Sequence, residues 1–161
     1  MTTGEERVSA TVIVDAPPAA VFAVLADPSS HAAIDGTGWV RGERDTDRIT
    51  AVGQVFRMAM HHEGHPDKDY ETANLVEVFD PPHAIAWKTG TESPDTRELR
   101  FGGWSWRYDL EPAGPARTAV TLTYDWAAVG PDVREYLSFP PFDSAHLDRS
   151  LHHLADLVTR A

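Results

Sequence analysis

Two groups of histidines and one run of aromatic residues are the parts of this chain that could do chemistry. His61-His62-Glu63-Gly64-His65 offers imidazoles and a carboxylate, ligand types that suit zinc. The segment reads as a strand end entering a loop, where neighbouring side chains leave on opposite faces. His61 and His62 therefore diverge, only His65 or Glu63 could join one of them, and no metal site is expected. His146, Ser150 and His153 follow spacings of four and three beside an apolar helical stripe. That spacing suits a solvated helix face, or a face looking into one end of an interior cavity. An imidazole reaching such a cavity would titrate near neutral pH and could shuttle a proton. No carboxylate pair, nucleophile–base spacing or glycine-rich phosphate loop stands out. No catalytic residue and no cofactor is assigned, and any activity is expected to be metal-independent.

The aromatic run is the better candidate. Trp104, Trp106, Tyr108 and Leu110 alternate with Ser105, Arg107, Asp109 and Glu111. After a turn at Pro112-Ala113-Gly114-Pro115, Val120, Leu122, Tyr124 and Trp126 alternate with Ala119, Thr121, Thr123 and Asp125. This is the pattern of an antiparallel hairpin with one apolar and one wet face. Either the rings are plain core, or they line a cavity for an apolar, ring-containing ligand, since small-molecule sites are concave and mostly apolar with a few polar groups. Buried Tyr108 and Tyr124 would bring hydroxyls that need partners. Phe56, Met58, Met60 and His62 share one face of another strand, which would set His62 at the rim. Tyr70, Asn74, Val76 and Val78 are expected to face the same way, with Asn74 as a handle for a ligand carbonyl or hydroxyl. Trp87, His146 and Ser150 complete the expected lining.

The remaining elements must position these groups. Val8, Ala10, Val12 and Val14 alternate with Arg7, Ser9, Thr11 and Ile13 and predict a half-buried strand. Asp15-Ala16-Pro17-Pro18 stops it and opens a short helix, with Val21/Leu25 and Phe22/Ala26 at helical spacing. Asp27-Pro28 ends that helix, and a second short one is expected over Ser30 to Ile34. Strands are predicted at Trp39 to Arg44, Gly53 to His62, Tyr70 to Phe79 and Ile85 to Thr89, with a polar loop from Gly90 to Asp95. Finally, Asp143 or Ser144 can cap a long helix whose Leu147, Leu151, Leu154 and Val158 form an apolar stripe. The order is strand, two short helices, six strands and a long helix. An α+β arrangement satisfies it, with a strongly curved antiparallel sheet carrying the last helix across its concave face.

Composition bounds the function. The chain has 161 residues, 14 basic against 25 acidic, and a formal charge of -11. That length suits one domain, taken as residues 1–161. The acidic balance argues against nucleic acid as partner and against docking on an anionic membrane. No run approaches the roughly 18 apolar residues of a membrane span, so no membrane insertion is expected. With no cysteine there is neither a disulfide frame nor a thiolate ligand. The acidic opening Met1-Thr2-Thr3-Gly4-Glu5-Glu6 has no apolar signal region, and a cytoplasmic location is expected.

Several segments resemble a known family. Val12-Ile13-Val14-Asp15-Ala16-Pro17-Pro18 through Asp27-Pro28 is similar to the opening of the polyketide cyclase/dehydrase family, of the START-like (SRPBCC, helix-grip) superfamily. Phe79-Asp80-Pro81-Pro82-His83-Ala84-Ile85-Ala86-Trp87 resembles its middle turn, and Trp106 to Pro112 with Val120 to Trp126 its final hairpin. The segment from Gly38 to Phe56 resembles an uncharacterised actinobacterial subgroup. The resemblance implies a helix-grip fold: seven antiparallel strands wrapped around the C-terminal helix, with two short helices after strand 1. It also implies a hydrophobic small-molecule ligand of polyketide, lipid or isoprenoid type. The alternatives are a cofactor-free aromatase/cyclase using acid–base groups in the cavity, or a protein-interaction module like the superfamily's chaperone activators. Fold alone does not choose among them.

Overall fold

A computed structural model describes residues 6–34, 40–43, 48–61, 69–93, 95–135, 139–140 and 145–160. The expected cap at Asp143 or Ser144 lies outside the described residues, as do Trp39, His62, Glu63 and His65. Strand β1 spans Arg7–Val14, and its burial alternates as the sequence pattern predicts. Helix α1, Pro18–Leu25, is entered through two prolines and buries Val21, Phe22 and Leu25. Asp27 then turns the chain into a 3-10 turn, Pro28–Ser30, by accepting from the Ser29 backbone N–H at 3.0 Å and the Ser29 hydroxyl at 2.7 Å. Helix α2, His31–Ile34, follows directly.

The strands β2 (Val40–Glu43), β3 (Val55–His61), β4 (Asp69–Asp80), β5 (Ala84–Glu92), β6 (Leu99–Pro112) and β7 (Thr118–Asp125) complete the sheet. Their order is β1-β7-β6-β5-β4-β3-β2, and every neighbouring pair is antiparallel. The chain thus meanders from β2 to β7 and closes by laying β7 on β1. Strand β5 runs past its expected end into the stretch read as a polar loop, and β6 begins at Leu99, ahead of its expected start at Trp104. Register breaks between Val76 and Val78, and between Lys88 and Gly90. Such extra residues bend the bulged strand and increase its twist, which curves the sheet.

The first break corrects the reading of β4. Val76 pairs with Trp87, but Val78 pairs with Ala86 and Phe79 with Ile85. The extra residue moves Val78 to the outer face and turns Phe79 inward, where its ring meets Phe22 edge-on at 5.4 Å. Period-two reading cannot anticipate a bulge, because one inserted residue inverts every later side chain.

A short helix α3, Pro131–Arg134, follows β7 and was not expected from the sequence. Arg134 anchors it by donating to the carbonyls of Val129 (3.0 Å) and Trp126 (2.9 Å), and it pairs with Glu6. The long helix α4, His146–Arg160, buries Leu147, Leu151, Leu154 and Val158 as the stripe predicted. It lies chiefly along β1 and α2, with lesser contact to α1 and β7. The helix therefore covers one margin of the sheet.

Candidate functional site

The inner face can be assigned strand by strand from the pairing. Trp106 lies opposite Trp87 and Tyr124, Tyr108 opposite Ile85 and Leu122, and Val76 opposite Trp87. Asn74 faces Phe56 and Thr89, while Thr72 faces Met58 and Tyr70 faces Met60. The structure thus brings Phe56, Met58, Met60, Asn74, Trp87, Trp106, Tyr108 and Tyr124 to one continuous surface, with Trp104 extending the same row of β6.

Two ring clusters divide this surface. In the first, Trp87 meets Phe56 edge-on at 5.3 Å and Tyr108 at 6.0 Å. The imidazole of His31 stacks almost parallel on Trp87 at 5.0 Å, and its Nε2 lies 2.9 Å from the Leu25 carbonyl. In the second, Trp106 contacts Tyr124 at 4.6 Å and the edge of His146 at 5.7 Å, while Trp126 lies 5.9 Å from Tyr124. Trp104 meets Phe139 at 6.0 Å. Offset and edge-on arrangements of this kind are the favourable ones for aromatic rings.

Helix α4 settles the alternative left open for its polar side chains. His146 is 1% exposed and Ser150 3%, so both face the interior, His146 beside Trp106, and the solvated-face reading is corrected for them. His153 diverges from them: it is exposed, and its Nδ1 sits 3.1 Å from the Ile34 carbonyl. Steps of four and three keep all three residues on one flank of the helix, and His153 is the one turned farthest from the leucine stripe, toward solvent.

Asn74 is engaged by its own sheet. Its amide donates to the Phe56 carbonyl at 3.2 Å and to the Thr72 hydroxyl at 3.3 Å, and its oxygen accepts from the Thr89 hydroxyl at 2.8 Å. Burial pushes the Tyr124 hydroxyl above the usual phenol range, so it stays protonated at neutral pH. Among the described residues no group of three or more His, Asp or Glu side chains converges as a metal site would require.

Exposure differs sharply along this face. Phe56, Met58, Trp87, Tyr108, Tyr124 and Trp126 are buried. Met60, Tyr70 and Trp106 point inward by register yet remain partly exposed, and Trp104, packed against the core, is partly exposed as well. Among the described residues no Asp, Glu, Lys or Arg is buried; Arg100, which pairs with Thr91 on this face, is exposed. Sequence reading missed His31, Thr72, Thr89 and Phe139. Thr72 shares its parity with Asn74 and was within reach of the period-two argument, whereas Thr89, His31 and Phe139 join only through the tertiary fold.

A curved antiparallel sheet with a C-terminal helix and an aromatic inner surface defines a class of small α+β folds. The chain belongs to the polyketide cyclase / dehydrase and lipid transport family, whose model matches residues 5–159. The uncharacterised protein Rv0088 of Mycobacterium tuberculosis (strain H37Rv) is 31% identical over 98% of this chain. The chain spans 66% of the length of that relative. Among solved structures, a protein from Arthrobacter aurescens superposes with a TM-score of 0.72 at 13% identity, covering 100% of this chain and 90% of that one. Protein Ms6760 of Mycobacterium smegmatis gives a TM-score of 0.69 at 15% identity, over 99% and 94% of the two chains. At these identities the likeness concerns the fold. No helix among the described residues is long and apolar enough to cross a membrane.

Proposed function

We propose that this protein binds an uncharged, ring-containing hydrophobic small molecule between the inner face of the sheet and helix α4. The observation that carries this reading is the partial exposure of Met60, Tyr70 and Trp106, all inward by register. A closed core would bury them, since their apolar area gains roughly 25 cal/mol per Å2 on leaving water. That no Asp, Glu, Lys or Arg is buried among the described residues supports a ligand with an uncharged body, because an unpaired charge against the buried rings would be costly to desolvate. The family's link to polyketide chemistry and lipid transport points to the same class. Tryptophan-fluorescence titration with uncharged fused-ring and isoprenoid compounds tests the proposal. Saturable quenching that weakens in Trp106→Leu is expected. Flat titrations across the panel, with no small molecule co-purifying in native mass spectrometry, would overturn it.

A second reading is favoured by one arrangement: His146 and Tyr124 flank the same ring, Trp106. A protonated phenol and an imidazole beside a bound poly-β-carbonyl chain could act as acid and base in cyclisation. Under this reading His146→Gln abolishes turnover of such a chain while leaving its affinity nearly unchanged. Equal turnover in the variant would dismiss it.

A further inference from the structure

The three buried polar side chains Thr72, Asn74 and Thr89 form a ladder across β4 and β5, and its hydrogen-bond directions are fixed by one unambiguous partner. The Phe56 carbonyl can only accept, so the Asn74 group 3.2 Å from it must be the NH2. The Asn74 oxygen therefore faces Thr89, whose hydroxyl has to donate across 2.8 Å. The second Asn74 N–H points at the Thr72 oxygen at 3.3 Å, so that oxygen is the acceptor. Each link leaves no freedom in the next. The ladder ends on the Thr72 hydrogen, which has no acceptor among the described residues although Thr72 is only 7% exposed.

Position gives this leftover donor a use. Thr72 faces inward opposite Met58, one step along β4 from the partly exposed pair Tyr70 and Met60. On its other side lie Asn74 and the closed cluster of Phe56 and Trp87. The donor thus sits where the packed part of the inner face meets the accessible part. A buried hydroxyl with its hydrogen unmatched is costly, and an acceptor arriving with a ligand would remove that cost.

We propose that the Thr72 hydroxyl is the orienting donor of the binding site, and that it takes a carbonyl oxygen, as in a ketone or quinone, on an uncharged fused-ring ligand. This rests on the hydrophobic-binding reading above. A carbonyl suits the position better than a ligand hydroxyl, because it accepts without bringing a hydrogen that needs its own partner. The ladder serves to aim the hydroxyl: Asn74 holds the Thr72 oxygen, and Thr89 holds Asn74.

The test compares 9-fluorenone with fluorene, which share a shape and differ in the carbonyl, by equilibrium dialysis against wild type, Thr72→Val and Thr72→Ser. Valine keeps the volume and removes the donor; serine keeps the donor. The affinity ratio of fluorenone to fluorene is expected to fall about tenfold in Thr72→Val and to hold in Thr72→Ser. Difference infrared spectra of fluorenone bound to wild type should show the C=O stretch at lower frequency than in an alkane. An unchanged ratio in Thr72→Val, or an unshifted stretch in wild type, overturns the assignment while leaving hydrophobic binding intact. If neither compound binds wild type, the binding reading falls and takes this one with it.

Discussion

Helix α4 is held by one stripe, and Leu151→Ala measures how well that stripe is packed. Leu151 is 0% exposed, and it lies between Leu147 and Leu154 on the helix face turned to β1. Burial of a leucine from both a helix and a sheet leaves little room for collapse after truncation. The loss should therefore sit inside the range of about 2–5 kcal/mol seen for buried leucines, near ~3 kcal/mol. In a chain of this length each kcal/mol moves Tm by roughly 2–4 °C, which gives a fall of about 9 °C. Leu157, on the same helix but only partly buried, provides the internal control: its truncation should cost about 1 kcal/mol. Urea titrations read both, and an unchanged m-value shows that the comparison is of like states. A cost below about 1 kcal/mol for Leu151→Ala, or equal costs at the two positions, would refute the packing of α4 on the sheet margin.

Three further outcomes follow from the fold. The Ser29 hydroxyl bond, aided by the Ser29 backbone N–H and by Arg48, holds the Asp27 carboxyl below its ordinary value of 3.8. A depressed folded-state value means that this stability is full above about pH 5 and is lost as pH falls through the folded value, so Asp27→Asn should flatten the acid limb of a stability–pH curve. Gly103 has φ 103°, and a Cβ there would lie 2.5 Å from the Ala128 carbonyl oxygen, whereas Gly53 at φ 91° opens on free space. Gly103→Ala should lose at least ~1 kcal/mol more than Gly53→Ala in chemical denaturation, and equal losses would deny the close approach of β6 to the Ala128–Val129 segment. Arg134→Ala should cost about 1–2 kcal/mol by removing donors from two carbonyls and the partner of Glu6; Arg134→Lys should restore little, since one ammonium lacks the guanidinium fork.

What the sequence determined by itself is the set of elements and most of their faces. Alternation in β1, β6 and β7 and the four-three-four spacing in α4 are local signals, because a side chain's face follows from the backbone period alone. Hence Leu147, Leu151, Leu154, Tyr108, Leu122 and Tyr124 were legible as interior before any pairing was known. The family resemblance, carried by the opening segment and the last hairpin, is likewise a property of the linear chain.

Tertiary structure decided everything that depends on register or on two elements meeting. The bulge in β4 sent Val78 out and Phe79 in, an exchange no periodicity encodes. His146 became interior because α4 brings that flank against Trp106, while His153, farther from the leucine stripe on the same flank, stays exposed beside the Ile34 carbonyl. Asn74, legible as an inward amide, turned out to be the middle of a ladder because β5 brings Thr89 within 2.8 Å of it. The physical reason is common to all three. Sequence fixes which groups each element offers, but a hydrogen bond or ring contact forms only within a few ångströms, and those distances are set by how the elements pack.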